Sequence, residues 1–352
     1  MNLLSRIKWR LVKHNQKIVN YYLTIKSIRK SMKHFLSKEE YNNLWKRISI
    51  GRDIWKCRWK YEANANEYFL FGFREKNQEL RNSYVTDIIK DNTLLALIGG
   101  NVFFSELKDK YNFYKLTKKY FNRDVMAVGP SYKSELSLFK QFAMKHQDLF
   151  VKSNASSCGR GISLIRIHDE KDAENLYSKL IKSGDDYIIE EKVVQAPEMA
   201  RWNQSSVNTV RIGSFRQKDN TIKIAYPFIR MGRAGSVVDN AGQGGVYASI
   251  DVESGRICTD GTDENGNKYL EHPDSHIKFH GWQVPDFEEL KSLVIECHHC
   301  MPIAHKYIGF DFALTNKGWS LIEGNWGQFL CQQTSLGRGL KKEFFELLEI
   351  DQ

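Results

Sequence analysis

The segment Tyr307-Ile-Gly-Phe-Asp-Phe-Ala-Leu-Thr-Asn-Lys-Gly-Trp-Ser-Leu-Ile-Glu-Gly-Asn325 constrains the rest of the chain more than any other. It reads as two short strands joined by Asn316-Lys317-Gly318. A three-residue connection ending in Gly suits a hairpin, because Gly enters the left-handed region without a Cβ clash. If Thr315 and Trp319 close that turn, Asp311 lies directly across from Glu323, with Asn325 two residues on along the same face. Like charges placed opposite each other destabilise a bare sheet. A hard divalent cation reverses the sign, and two carboxylates plus an amide oxygen are ligands that Mg²⁺ takes. Two readings stand at this point: a metal site, or an exposed hairpin with solvated acids. Register decides between them, since a slip of one residue parts the carboxylates onto opposite faces.

A chain of 352 residues can bury a real core and favours two or three domains. Its six cysteines (57, 158, 258, 297, 300 and 331) are scattered without a paired framework, which fits a reduced, intracellular, cytoplasmic protein. The longest apolar stretch, residues 94–104, is too short and broken to span a bilayer. The basic N-terminus lacks the continuous apolar run of a signal peptide. Charge is placed unevenly. Residues 1–60 hold sixteen Lys and Arg against Glu39, Glu40 and Asp53, a net of +13 in a chain of net +10, so the remainder is acidic by three. A nucleic-acid stripe would extend over the functional domain, and no zinc finger or RNA-reading motif is present, so no nucleic-acid partner is expected.

Residues 3–36 place Leu4, Ile7, Leu11, Ile18, Tyr22, Ile25, Ile28, Met32 and Phe35 at helical spacing with lysines and arginines between them. Such a basic amphipathic helix packs its apolar stripe on the protein, the commoner outcome, or lies on an anionic membrane surface. Residues 38–92 continue as mixed helix, with Trp45, Trp55, Trp59, Tyr68, Phe69, Phe71 and Phe73 available for a small core. After the apolar run from Leu94 comes a helical stretch containing Asp109-Lys110-Tyr111.

From Phe150 the texture changes to strands and Gly-rich turns. Leu149-Phe-Val-Lys152 is a strand ending in lysine, followed by Ser153-Asn-Ala-Ser-Ser-Cys-Gly-Arg-Gly161. A small-residue loop with Gly159 and Gly161 can wrap backbone N–H groups around an anion while Lys152 supplies a point charge; a plain Gly-rich hairpin is the alternative. It is not a Walker A loop, because no Gly-Lys-Ser/Thr follows. A helix over 170–183 precedes Tyr187-Ile-Ile-Glu-Glu-Lys-Val-Val194, a strand emerging with paired acids. Strands over 206–215 and 221–230 flank a turn, and Arg211 among apolar neighbours needs either an anion or a structural carboxylate. In the Gly-rich loop 235–245, Asp239 and Asn240 either contact a ligand or hold turns; with Arg230 they are the candidate substrate contacts. Cys297-His-His-Cys300 falls in a helix predicted over 287–306, where only the two cysteines share a face, so these are ordinary helix residues rather than a zinc site.

The order lysine, strand-end lysine, Gly-rich loop, paired acids, strand arginine, then Asp…Glu-x-Asn resembles the ATP-grasp superfamily, and within it the sugar-transfer-associated branch related to α-L-glutamate ligases. The resemblance covers residues 93–340, and Val-Asn-Thr-Val-Arg-Ile, Val-Asp-Asn…Gly-Gly and Ile-Glu-Gly-Asn are its most branch-specific pieces. It implies an α+β fold of two subdomains clasping ATP. Residues 1–92 would be a basic helical extension, 93–149 a preceding subdomain, 150–195 the lid and 196–352 the C-terminal subdomain with the metal site. Lys110 and Lys152 resemble the nucleotide lysines, and the 153–161 loop with Ser156, Gly159 and Gly161 the phosphate flap. Glu190, Glu191 and Val193 match the adenine hinge and Glu198 the ribose contact. Arg211 resembles the arginine facing the transferred phosphoryl group; Asp311, Glu323 and Asn325 match ligands for Mg²⁺, two ions by implication and Mn²⁺ as a substitute. Trp326-Gly327-Gln328 departs from the small residue and proline of many relatives. The implied activity is ATP-dependent amide formation between a small-molecule or glycan carboxylate and an amine, in polysaccharide biosynthesis. A kinase or a non-catalytic nucleotide binder are the alternatives. The basic segment 1–36 would fit a peripheral contact with an anionic membrane.

Overall fold

The computed structural model describes residues 23–98, 105–132, 134–154, 162–235, 244–327 and 329–351. Residues 1–22 of the basic segment, Ser156, Gly159, Gly161, Asp239 and Asn240 lie outside the described residues. The chain divides into two compact units, residues 1–91 with 337–341, and residues 92–336 with 342–352.

The first unit is helical over its described residues. Asn64 opens the helix Ala65–Leu70 with a capping box: its side chain accepts from the N–H groups of Asn66 and Glu67, and the Glu67 carboxylate accepts from its own N–H. Tyr68, Phe71, Phe73 and Tyr84 make the small core, with Phe71 and Tyr84 rings 4.5 Å apart. Trp45 and Trp59 do not join it, being 80% and 65% exposed. The helix Leu44–Lys60 buries Ile50, Ile54 and Cys57, and the indoles sit on other faces of the turn.

The second unit holds two antiparallel sheets. The smaller has the order β1-β4-β2-β3, with β1 Val125–Val128, β2 Asp148–Ser153, β3 Ile162–Arg166 and β4 Tyr187–Glu191. Helices Leu136–His146 and Glu170–Ser183 cover one face through Phe139, Ala143, Ala173, Leu176 and Leu180, packed on Leu149, Val151 and Ile189. Strand alternation therefore sends Lys152 and Glu190 to the opposite face. The helix 170–183 falls where the sequence predicts it, capped by Asp169 and ended by Gly184 at φ +75°.

The larger sheet has the order β11-β10-β5-β6-β7-β8-β9, comprising β5 Thr209–Arg216, β6 Ile222–Met231, β7 Val246–Ser249, β8 Gly261–Thr262, β9 Lys268–Tyr269, β10 Tyr307–Thr315 and β11 Gly318–Asn325. Its apolar face, including Val210, Ile212, Ile229, Phe310 and Phe312, shares one core with Leu290, Val294 and Cys297 of the helix Phe287–His299. The residues between them in sequence, Arg211 and Asp311, take the other face. That helix stops seven residues short of the predicted 306, because Pro302 has no N–H to continue it and disfavours helical backbone in Met301. His298 is buried as an ordinary core histidine, with Nδ1 2.7 Å from Ser214 Oγ and Nε2 2.9 Å from His305 O. Among the described residues no helix is long and apolar enough to cross a membrane.

Candidate active site

The hairpin reaches the expected register by an unexpected route. Thr315 pairs with Gly318, not Trp319, so the turn is one residue tighter than the sequence suggests. Gly318 carries the φ of +89° that the connection requires. Ile322 is then left over as a bulge between the pairs Phe312–Leu321 and Asp311–Glu323, which restores the lost residue. Asp311 and Glu323 end directly opposite each other.

Two arginines answer this pair of like charges. Arg211, the register partner of Asp311 on β5, grips it with both edges: Nε donates to Oδ1 and a terminal nitrogen to Oδ2, each at 2.5 Å. Arg230 on β6 donates to Oδ2 at 3.0 Å. Glu323 lies 3.6 Å from Arg211 and accepts from Asn325 Nδ2 at 3.0 Å, and that amide is 3.4 Å from Asp311 Oδ2. Burial alone would push the Asp311 carboxyl up, but Arg211 and Arg230 outweigh it and hold it below its usual value. Glu323 is held above its usual value by the surrounding protein and by the Asp311 charge, although 45% of its side chain remains accessible against 2% for Asp311.

This donor set fits a hard cation. Two carboxylates and an amide converge on one face. Among the described residues Asp311 Oδ1 accepts from Arg211 alone while Oδ2 takes both arginines, the half-accessible Glu323 carboxylate makes no arginine hydrogen bond, and a flip of the Asn325 amide presents its oxygen. Asp311, Glu323 and Asn325 are therefore the residues that would hold Mg²⁺.

The smaller sheet supplies the cationic half. Lys152 Nζ lies 2.7 Å from Glu190 Oε1, and Arg123 Nε donates to Glu190 Oε2 at 2.8 Å. Arg123 also donates to Leu321 O at 2.6 Å and Ser320 Oγ at 3.0 Å, tying this sheet to β11. Burial works against an ionised Glu190, yet Arg123 and Lys152 bring its carboxyl down to about 2. Lys110 opens the helix Lys110–Thr117 and donates to Ser153 O at 3.1 Å and Asn154 O at 3.2 Å, bracing the entry to the 155–161 loop. Its ammonium is held below the usual lysine range by burial, with Glu323 opposing, Lys152 assisting and Glu190 opposing. One lysine thus senses both halves of the site.

Of the other expected residues, Glu191 turns to the helix-covered side, where its carboxylate accepts from Asp124 N at 3.0 Å. Val193 is half-buried, and Glu198 is exposed on the short helix Pro197–Ala200. The segment after β4 is anchored to the hairpin, since Ala196 donates to Leu314 O at 2.8 Å and Gln195 bridges Thr315. Arg230, expected with the 235–245 loop, is drawn to Asp311. Arg123 escaped the sequence reading: it sits in the polar run Asn122-Arg-Asp124 with nothing local to mark it as buried.

A helix-backed antiparallel sheet carrying a lysine, followed in the chain by a larger sheet bearing Asp, Glu and Asn, is the ATP-grasp arrangement. The pattern of the sugar-transfer-associated ATP-grasp family matches residues 100–349, and the chain belongs to that family. Similar solved structures include the D-alanyl-alanine synthetase A of Vibrio cholerae, 12% identical with a TM-score of 0.42 over 70% of this chain and 65% of that one. The D-alanine-D-alanine ligase of Coxiella burnetii is 10% identical with a TM-score of 0.43 over 75% and 66%, and D-cycloserine synthetase DcsG 11% with 0.41 over 69% of each. The chain spans just under two thirds of the length of the first two. No curated protein matches.

Proposed function

We propose that the chain is an ATP-dependent carboxylate–amine ligase that forms an amide through an acyl phosphate and releases ADP. The observation that carries this reading is the convergence around Lys110. Lys110, Lys152, Arg123, Arg211 and Arg230 gather with Asp109, Glu190, Asp311 and Glu323, five cations against four carboxylates, a net positive cluster suited to a polyphosphate. Phosphoryl transfer needs positioning and charge neutralisation more than a nucleophilic side chain.

In this reading Lys110 and Lys152 neutralise phosphate oxygens, and Glu190 with Arg123 fixes the Lys152 ammonium. Ser156, Gly159 and Gly161 close over the phosphates, Glu190, Glu191 and Val193 form the adenine hinge, and Glu198 holds the ribose. Arg211 orients the reacting groups while keeping Asp311 ionised. Mg²⁺ bound by Asp311, Glu323 and Asn325, as two ions or replaced by Mn²⁺, would neutralise the phosphates further. The substrate carboxylate oxygen bonds to the terminal phosphorus as ADP departs. The amine then attacks the acyl carbon, phosphate leaves, and the amine's proton passes to solvent. The lid is the 150–195 segment together with β1 and the helix Leu136–His146, which share its sheet and core, and the acceptor and metal subdomain is 196–352. Substrates are a uronic-acid-like glycan carboxylate and an amino-acid-like amine, handled on the cytoplasmic side in polysaccharide biosynthesis, with the basic segment 1–36 touching an anionic membrane. Family membership supports the sugar connection.

Hydroxylamine trapping over a panel of sugar acids tests the reaction. The expected result is a hydroxamate with stoichiometric ADP. A stable phosphorylated product would make the chain a kinase, and neither product a nucleotide binder.

A further inference from the structure

The helix Leu44–Lys60 carries a feature that the ligase chemistry does not use. Its outward stripe is Trp45, Ser49, Arg52, Lys56 and Trp59, spaced four, three, four and three residues apart along one face, and all are exposed. The two indoles stand about 21 Å apart along the axis at 1.5 Å per residue. The cations lie between them. Trp55 flanks the stripe with its ring 5.8 Å from that of Trp59. Beside it runs an almost wholly apolar groove of about 410 Å³, floored by Ile25, Ile28, Met32 and Ile48 and rimmed by Arg29 and Arg52.

The helix is also purged of outward negative charge. Its one acid, Asp53, is turned to Arg81, which grips both carboxylate oxygens at 2.9 Å, and to Tyr68 Oη at 2.8 Å. Lys46, Arg47, Arg52, Lys56, Arg58 and Lys60 remain as its cations. On the preceding helix, residues 23–35, Lys26, Arg29, Lys30 and Lys33 are exposed beside Leu23 and Ile25.

We propose that this Trp–cation stripe and its groove dock on the surface of an anionic lipid bilayer. Indoles favour the headgroup level, where one part of the ring is wet and the rest is not, and cations between them meet lipid phosphates. A planar partner reaches two indoles 21 Å apart and the cations between them together, about the length estimated above. A second copy would set this basic helix against its own like charge. The inference is independent of the ligase reading and extends the contact from residues 23–35 to the helix Leu44–Lys60.

Co-sedimentation of the full chain with phosphatidylglycerol–phosphatidylcholine vesicles tests it, alongside pure phosphatidylcholine vesicles. Binding should require the anionic lipid, weaken at least tenfold in Trp45→Ala/Trp59→Ala and in Arg52→Glu/Lys56→Glu, and leave a stripe-dependent remainder after removal of residues 1–22. Brominated lipid should quench tryptophan emission in the parent chain, a readout that needs no variant. Turnover of water-soluble substrates should be unchanged in both variants, which separates this test from that of the reaction. The proposal is overturned by equal binding of parent and variants, by a concentration-dependent dimer that the Trp substitutions disperse, or by capture of single-stranded RNA that the charge reversals abolish.

Discussion

Replacing Glu190 by Gln probes the joint between the two sheets. The carboxylate holds Lys152 at 2.7 Å and Arg123 at 2.7–2.8 Å, and its side chain and that of Arg123 are almost fully buried. Holding a carboxyl at about 2 rather than 4.5 corresponds to about 3 kcal/mol in favour of the ionised form, at about 1.4 kcal/mol per pH unit. Gln keeps the shape and imitates the protonated acid, so Glu190→Gln should lose about 3 kcal/mol at pH 7, the lower end for one partner of a buried pair. In calorimetry that is a fall of about 6–12 °C in Tm for a unit of this size. The folded pKa is depressed, so the stabilisation is complete above 4.5 and is lost as pH falls toward 2. The gap between parent and variant should therefore shrink to under half by pH 3. A gap below about 0.5 kcal/mol at pH 7, or one that does not change with pH, would refute the ion-pair account.

Asp311→Asn should remove the buried carboxylate that Arg211 and Arg230 both grip, costing about 3 kcal/mol in urea unfolding, with Glu323 near Arg211 limiting the loss; ADP release should fall by about a hundredfold or more, since phosphoryl transfer relies on charge placement. Gly324→Ala would set a Cβ 2.5 Å from Phe113 Cε2 and 2.7 Å from Cζ, an overpacking worth about 1–3 kcal/mol that a second change, Phe113→Leu, should relieve. His298 is pulled down to about 3 by burial, so the parent loses stability as pH drops below 6.5 at about 1.4 kcal/mol per unit; His298→Asn should flatten that slope in pH-dependent unfolding.

Parts of the site were legible because their signals are local. The 170–183 helix announces itself by periodicity, Asp169 and Gly184, and Lys152 by an apolar strand that runs to it and ends one residue later, at Ser153. The hairpin shows how far such reasoning reaches. Its opposition of Asp311 to Glu323 was readable, but the turn is one residue tighter and the Ile322 bulge compensates. Turn length and bulge are decided together, by the demand that Leu321 enter the core while Glu323 stays out of it. Trp45 and Trp59 mark the opposite limit, since an indole's sequence neighbours do not say whether its face of a helix will be covered.

The sequence by itself determined the hairpin, the strands around Lys152, Glu190, Arg211 and Arg230, the helix 170–183, the family, and the opposition of Asp311 to Glu323. Only the tertiary structure decided what neutralises them. Arg211 and Asp311 are separated by 100 residues and meet because β5 lies between β10 and β6, an order that no local pattern specifies. Arg123 reaches Glu190 and the carbonyl of Leu321 for the same reason. Local conformation follows from short-range sterics and hydrophobic period, whereas the pairing of buried charges depends on which distant strands become neighbours.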